Sequence, residues 1–211
     1  MQLSRSLFVY SVLYGGMVCI AGVLGNKQVA LGAGLAVEAG IFAFLMLVIL
    51  SSAVAELHGR ATADRLVRFG FIPLIVSMLL ILVVLAAPSA HDMDPARLAA
   101  FQMVLGQSPR LMLAGIIAYG ISQTLNVAIF SRLRAATGRF LWLRAAVASA
   151  LSQIVDTLLF ITVAFWGVFP IGSLLVGQAL AKVVLSAVLV PPLIYGAVWL
   201  GRRMDAKAAT E

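Results

Sequence analysis

The sequence predicts an all-α membrane protein with six transmembrane helices, in a single domain over residues 1–211. Hydrophobic residues make up 63% of the chain and charged residues only 11%, whereas soluble domains are about half apolar and a quarter charged. Six apolar runs reach the ~20 residues needed to cross a hydrocarbon core. These runs lie near 7–25, 39–57, 71–87, 111–130, 145–169 and 171–200.

The basic residues indicate how these runs are oriented. Eleven of the fifteen lysines and arginines lie at the N-terminus, in the second and fourth connections and in the C-terminal tail. Lys27, Arg97 and Arg110 lie on the opposite side, and Lys182 lies inside the last run. Because cytoplasmic loops carry an excess of Lys and Arg, we expect both termini in the cytoplasm.

The composition also argues against several functions. The net charge of +7 sits in short connections between apolar runs, where it orients the chain among membrane lipids, so we expect no nucleic-acid partner. Cys19 is the only cysteine, and His58 and His91 are the only histidines. With so few ligands of the types that zinc prefers, we expect neither a metal site nor a cofactor.

Two connections are predicted to face outward. The first, 26–38, is rich in glycine, but no strand pattern makes it a nucleotide-binding loop. The third, 88–110, contains Asp94-Pro95, a capping acceptor followed by proline at the first helical position. We expect a short helix there, lying on the outer interface, and a second helix start at Ser108-Pro109 that leads into the fourth span.

The fifth run carries polar residues in its middle. Ser149, Gln153, Asp156 and Phe160 follow at spacings of four, three and four residues and so share one helical face. A carboxylate near the bilayer midplane costs at least ~2.5 kcal/mol, so Asp156 must be paired, protonated or used. Counted from the turn at Pro170, Lys182 lies at about the same depth on the next helix, so we predict that the two residues are charge partners.

The other polar candidates each have a structural alternative. Gln123 and Asn126 lie one turn apart in the fourth run, where they suit a ligand or a bond between helices equally. Asn26, Lys27 and Glu38 suit either a ligand or a solvated outer loop.

Two further side chains are candidates of the same kind. Glu56, at the cytoplasmic end of the second run, suits proton coupling or simple solvation at the interface. Phe42 and Phe160 suit covering a planar ligand or ordinary packing.

Several motifs along the chain resemble the queuosine precursor transporters, which belong to the vitamin uptake transporter group. The motifs are GNKxVxLG (Gly25–Gly32), AGxFAF (Ala39–Phe44), ELHGRxxADR (Glu56–Arg65), SPR (Ser108–Arg110), FSRLRxxTG (Phe130–Gly138) and LWLRxxxxSxxSQxxDTxxFxxxAFWG (Leu141–Gly167). The chain departs from the family pattern at Ser52 and Asn126, where members often carry Asp.

The resemblance implies an importer of 7-deazaguanine bases (7-cyano, 7-aminomethyl or queuine) in the bacterial inner membrane, serving salvage for the queuosine modification of tRNA. The predicted substrate-binding residues are Asp156, Gln153, Lys182, Gln123, Asn126, Asn26, Lys27, Glu38, Ser149, Phe42 and Phe160. For gating or proton coupling we select Glu56 and Arg144.

Three other functions stay open at this stage. The chain could be the substrate-binding subunit of an ATP-driven uptake complex, a structural membrane subunit, or an enzyme. The sequence lacks GxSxG and HExxH motifs, which argues against the enzyme. Small residues at close-packing spacing, such as Ala114 and Ala118, are compatible with a homodimer.

Overall fold

The computed structural model describes residues 4–32, 35–137, 141–168 and 171–208 of the chain. These residues form seven α-helices and one two-stranded hairpin. The helices are α1 Arg5–Leu24, α2 Gly40–His58, α3 Arg60–Ala86, α4 Pro95–Thr137, α5 Leu141–Phe165, α6 Gly172–Val188 and α7 Val190–Ala208. The strands are β1 Gln28–Gly32 and β2 Leu35–Glu38.

The helices confirm that this is a helical membrane protein. Among the described residues, four segments are long and apolar enough to cross a membrane: Arg5–Leu24, Gly40–His58, Arg60–Ala86 and Pro95–Ser122. A fifth span results if the bent pair Leu174–Leu185 and Val190–Lys207, which meet at 48°, crosses as one unit. The segment Ala150–Phe165 of α5 is apolar but shorter.

The first connection is a β-hairpin, a local feature that the sequence pattern did not predict. β1 and β2 are antiparallel, with Gln28 opposite Glu38 and Val29 opposite Val37. Val37 is fully buried. A Cβ on Gly177 of α6 would meet the backbone of Ala36, so a glycine at 177 lets α6 and β2 approach closely. The hairpin is therefore packed into the helices.

Helix α4 differs from the prediction for the third connection. It begins at Pro95, and the Asp94 carboxylate accepts from the Ala96 N–H at 3.0 Å, so the predicted helix start is confirmed. The predicted second start at Ser108-Pro109 is wrong, because α4 continues through Pro109 to Thr137. The short helix of the third connection is thus the first part of α4. Membrane-protein helices tolerate an internal proline where neighbouring groups satisfy the freed backbone.

The predicted sixth span is divided into two helices. The break lies at Leu189, directly before Pro191-Pro192, where the missing backbone donors predicted a kink. The helix that contains the predicted third span starts earlier than that span, at Arg60 rather than near residue 71. Gly59 takes a positive φ of 83° between α2 and α3, a conformation that favours glycine.

Hydrogen bonds group the helix ends into two sets. Near the start of α1, the buried Ser6 hydroxyl donates to Asp205 of α7 and contacts His58 at the end of α2, both at 2.7 Å. At the far end of α1, the Asn26 amide donates to the Ser108 hydroxyl at 3.1 Å. The start of α1 thus meets the ends of α2 and α7, whereas the end of α1 meets α4.

Candidate functional site

A cavity of about 90 Å³ lies among the helices and beside the hairpin. One ordered water needs only ~10–15 Å³, so the cavity has room for a ligand larger than a single water. Its walls come from β2 and from all helices but α7. Its charged and aromatic lining residues are Glu38, Asp156, Lys182, Tyr14, Phe44, Phe71, Tyr119 and Phe160.

An ion pair between α5 and α6 lies at the cavity wall. The Lys182 Nζ lies 2.6 Å from Asp156 Oδ2, and the two residues are only 2% and 3% exposed. This confirms the predicted pairing of Asp156 with Lys182. At this depth neither charge reaches solvent, so each depends on the other.

The Asp156 carboxylate keeps acceptor capacity beyond this pair. Its Oδ1 accepts from the Ser122 hydroxyl of α4 at 3.0 Å. An ionised carboxylate offers about four lone-pair positions, and the two bonds described occupy one on each oxygen. No other described residue donates to Asp156, so its remaining lone pairs suit further N–H groups, as when carboxylates bind the amino edges of bases.

Aromatic rings form one side of the cavity. The Tyr14 and Tyr119 hydroxyls are hydrogen-bonded at 2.6 Å. The Tyr119 ring packs edge-on against Phe44 and Phe71, at centroid distances of 5.7 and 5.9 Å. Lys182 Nζ lies 4.5 Å from the centre of the Phe44 ring. Such a wall suits a flat, partly polar ligand.

Glu38, which directly precedes α2, supplies a second buried carboxylate. Its Oε1 accepts from the Gln178 side-chain amide at 2.7 Å, and its Oε2 accepts from the Gly40 N–H at 2.6 Å. The Glu38 N–H donates in return to Gln178 Oε1 at 2.9 Å. Burial raises the pKa of the Glu38 carboxyl above its usual range, against the opposing effects of the Lys182 ammonium and the two N–H donors.

Gln153, one turn from Asp156, carries an unsatisfied acceptor. The residue is 4% exposed, and its Oε1 has no hydrogen-bond partner among the described residues. An unpaired buried acceptor costs about 1–3 kcal/mol, so a water or a ligand group would be bound favourably there. The neighbouring Thr157 hydroxyl donates to the Gln153 carbonyl at 2.9 Å, the local bond that hydroxyls commonly form inside helices.

The structure brings some predicted site residues to the cavity and leaves others away from it. Glu38, Asp156, Phe160 and Lys182 line it. The side chains of Gln123, Asn126, Arg144 and Ser149 lie outside the described part of the chain.

Five other predicted residues are not part of the cavity lining. One is Gln153, which is buried one turn from Asp156. Phe42 is 56% exposed. Lys27 and Glu56 are also exposed. The Asn26 amide donates to the Gly22 and Val23 carbonyls and so caps the end of α1.

The sequence interpretation did not select several residues that the structure places at the site. They are Ser122, Gln178, Phe44, Phe71, Tyr14 and Tyr119. Phe44 could have been found, because it lies two residues from Phe42 in the same AGxFAF motif. The others come from four helices. Only Tyr119 and Ser122, three residues apart on α4, share a helical spacing.

The fold and the cavity together define a multi-pass helical membrane protein that holds a polar site among its helices. The chain belongs to the family of vitamin uptake transporters: the family described as "Putative vitamin uptake transporter" matches residues 38–196. The matched region includes the cavity residues of α2 to α6. This is a family of transporters and not of enzymes.

One curated relative gives a more specific comparison. It is a "Probable queuosine precursor transporter" from Bacillus subtilis (strain 168), 35% identical over 118 residues. The match covers 54% of this chain, and the chain spans about half the length of that relative, 50%. No solved structure matches the chain.

Proposed function

We propose that this chain imports queuosine precursors, the 7-cyano and 7-aminomethyl 7-deazaguanine bases or queuine, across the bacterial inner membrane. The observation that carries the proposal is the buried Asp156–Lys182 pair in the wall of an aromatic-lined cavity. Intramembrane charges that face a cavity are characteristic of substrate pathways. The name of the Bacillus relative supports this class of cargo.

The chemistry of the cavity fits such a base. A deazaguanine ring presents adjacent N–H donors beside a carbonyl acceptor. The free lone pairs of Asp156 would accept the donors, and Lys182 would donate to the carbonyl. Phe44 and Tyr119 would cover the ring. The orphaned Gln153 Oε1 would accept a further donor from the base or from a water.

We further propose six crossings, with both termini in the cytoplasm. The contacts of Ser6 with Asp205 and His58 support a common side for the start of α1, the end of α2 and the end of α7. The bond from Asn26 to Ser108 supports an opposite side for the first and third connections. In this arrangement α6 and α7 together form the sixth crossing, and residues 1–211 form one transmembrane domain.

Uptake by purified protein in lipid vesicles tests the transport activity without any partner. We expect saturable uptake of labelled 7-aminomethyl-7-deazaguanine above that of protein-free vesicles, because the site is contained in this chain. Guanosine, whose ribose adds bulk, serves as a control that the cavity should refuse. Absence of uptake from folded protein would contradict solitary transport, and uptake that appears only with an ATP-hydrolysing partner would assign the chain to a larger complex.

A further inference from the structure

The charges around the cavity do not balance. Among the described lining residues, two carboxylates, Glu38 and Asp156, share the wall with one ammonium, Lys182. Lys182 lies directly on Asp156 at 2.6 Å. The hydrogen bonds described for Glu38 come from neutral groups, the Gln178 amide and the Gly40 N–H. Among the described residues, Glu38 therefore has no cation in direct contact and shares the influence of Lys182 with Asp156.

The orientation of Gln178 shows which form of Glu38 the surroundings favour. The Glu38 N–H can only donate, so the Gln178 atom that faces it at 2.9 Å must be the amide oxygen. The Gln178 amide nitrogen then donates to Glu38 Oε1. Both oxygens of Glu38 thus face N–H donors, an arrangement that suits an acceptor-only, ionised carboxylate.

Burial works against this ionised form. Glu38 is 4% exposed, and an ion in such surroundings is costly unless a charge of opposite sign lies nearby. Each oxygen of Glu38 retains a lone pair, and the residue faces the same cavity as Asp156. A cation that entered the cavity would therefore bind at Glu38 and stabilise its charge.

We infer that Glu38 is a specificity-determining residue, the counter-ion for a protonated amine on the substrate. The inference rests on the proposed function, since it treats the cavity as the site of a 7-deazaguanine base. Since Asp156 and Glu38 line the same cavity, the inference places the pairing edge of the base at Asp156 and its 7-substituent at Glu38. The site then selects bases whose 7-substituent carries an ammonium group over bases whose substituent is neutral.

The test compares two competitor bases that differ in charge and have nearly the same shape. Uptake of labelled 7-deazaguanine is measured in competition with its 7-aminomethyl derivative, a cation, and with its 7-hydroxymethyl derivative, a neutral analogue of nearly the same shape. Loss of one charge-assisted hydrogen bond corresponds to about a ten- to hundredfold change in affinity. We expect the wild-type protein to prefer the aminomethyl base by that factor.

The variant Glu38→Gln should reduce this preference to within about threefold of equality, because it removes the charge and keeps the shape. Its uptake of the neutral base should fall less than its uptake of the cation, and Glu38→Asp should retain a preference for the cation. A wild-type protein without preference would overturn the inference, as would a preference that Glu38→Gln leaves unchanged. If Glu38→Gln does not reach the membrane, the inference is tested by the preference of the wild-type protein and of Glu38→Asp for the aminomethyl base over the hydroxymethyl base. A wild-type protein that takes up none of these bases would instead contradict the proposed function.

Discussion

At the scale of single residues, Asp156 and Lys182 are central to the proposed binding site. Their 2.6 Å contact is buried on both sides, so a change in either residue has two consequences. It removes a group from the cavity, and it leaves the other charge without a partner. Breaking a buried ion pair at one side costs about 3–5 kcal/mol, whereas replacing both partners by well-packed neutral residues is often nearly neutral.

The difference between single and double replacement shows how much of the stability loss comes from an unpaired buried charge. We predict that Asp156→Asn alone and Lys182→Met alone both lower the melting temperature of the purified protein strongly. The double variant Asp156→Asn/Lys182→Met should recover most of the loss, because no buried charge is left unpaired. Thermal unfolding in detergent measures this effect. Equal losses that simply add in the double variant would show that the two residues are not coupled in the folded protein.

At the scale of helices and strands, the orientation of the connections is the main prediction. Asp92, in the third connection, and Arg65, near the start of α3, are both exposed. A Cys19→Ser background keeps an acceptor for the Ser77 hydroxyl, which donates to Cys19 Sγ. In this background, single cysteines at these two positions report the side of the membrane. We predict that a membrane-impermeant maleimide labels Asp92→Cys in intact cells and labels Arg65→Cys only after the cells are opened.

The two cysteine variants control for each other, because both should react in opened cells. Labelling of Arg65→Cys from outside, with Asp92→Cys protected, would reverse the proposed orientation. The proposed topology has one crossing, helix α3, between the two positions. Labelling of both cysteines from outside would contradict that crossing.

Helix-scale features that depend on local spacing were predictable from the sequence. The start of α4 follows from Asp94-Pro95, and the break before α7 follows from Pro191-Pro192. The hairpin of β1 and β2 was not predictable, because its stability comes from contacts such as Ala36 against Gly177 of a distant helix. The continuation of α4 through Pro109 was likewise hidden, since a proline signals a helix start and an internal kink equally.

At the scale of the whole molecule, half of the site follows from the sequence and half from tertiary packing. The meeting of Asp156 and Lys182 was predictable because a tight turn between two helices sets equal depths on both. The positions of Tyr14, Phe71 and Tyr119 around the same cavity were not. They come from elements that are far apart in the chain, and only the packed bundle brings them together.

The most direct measurement of the central claim is queuosine in the tRNA of cells that can neither make the base nor import it by another route. Such cells would express this protein and receive 7-aminomethyl-7-deazaguanine at nanomolar concentration. The account predicts that the wild-type protein restores queuosine, and that Asp156→Asn/Lys182→Met at equal membrane level lowers it at least tenfold. Restoration by the double variant to the wild-type level would remove this ion pair from the site, and failure of the wild-type protein with every 7-deazaguanine base would contradict the proposed cargo.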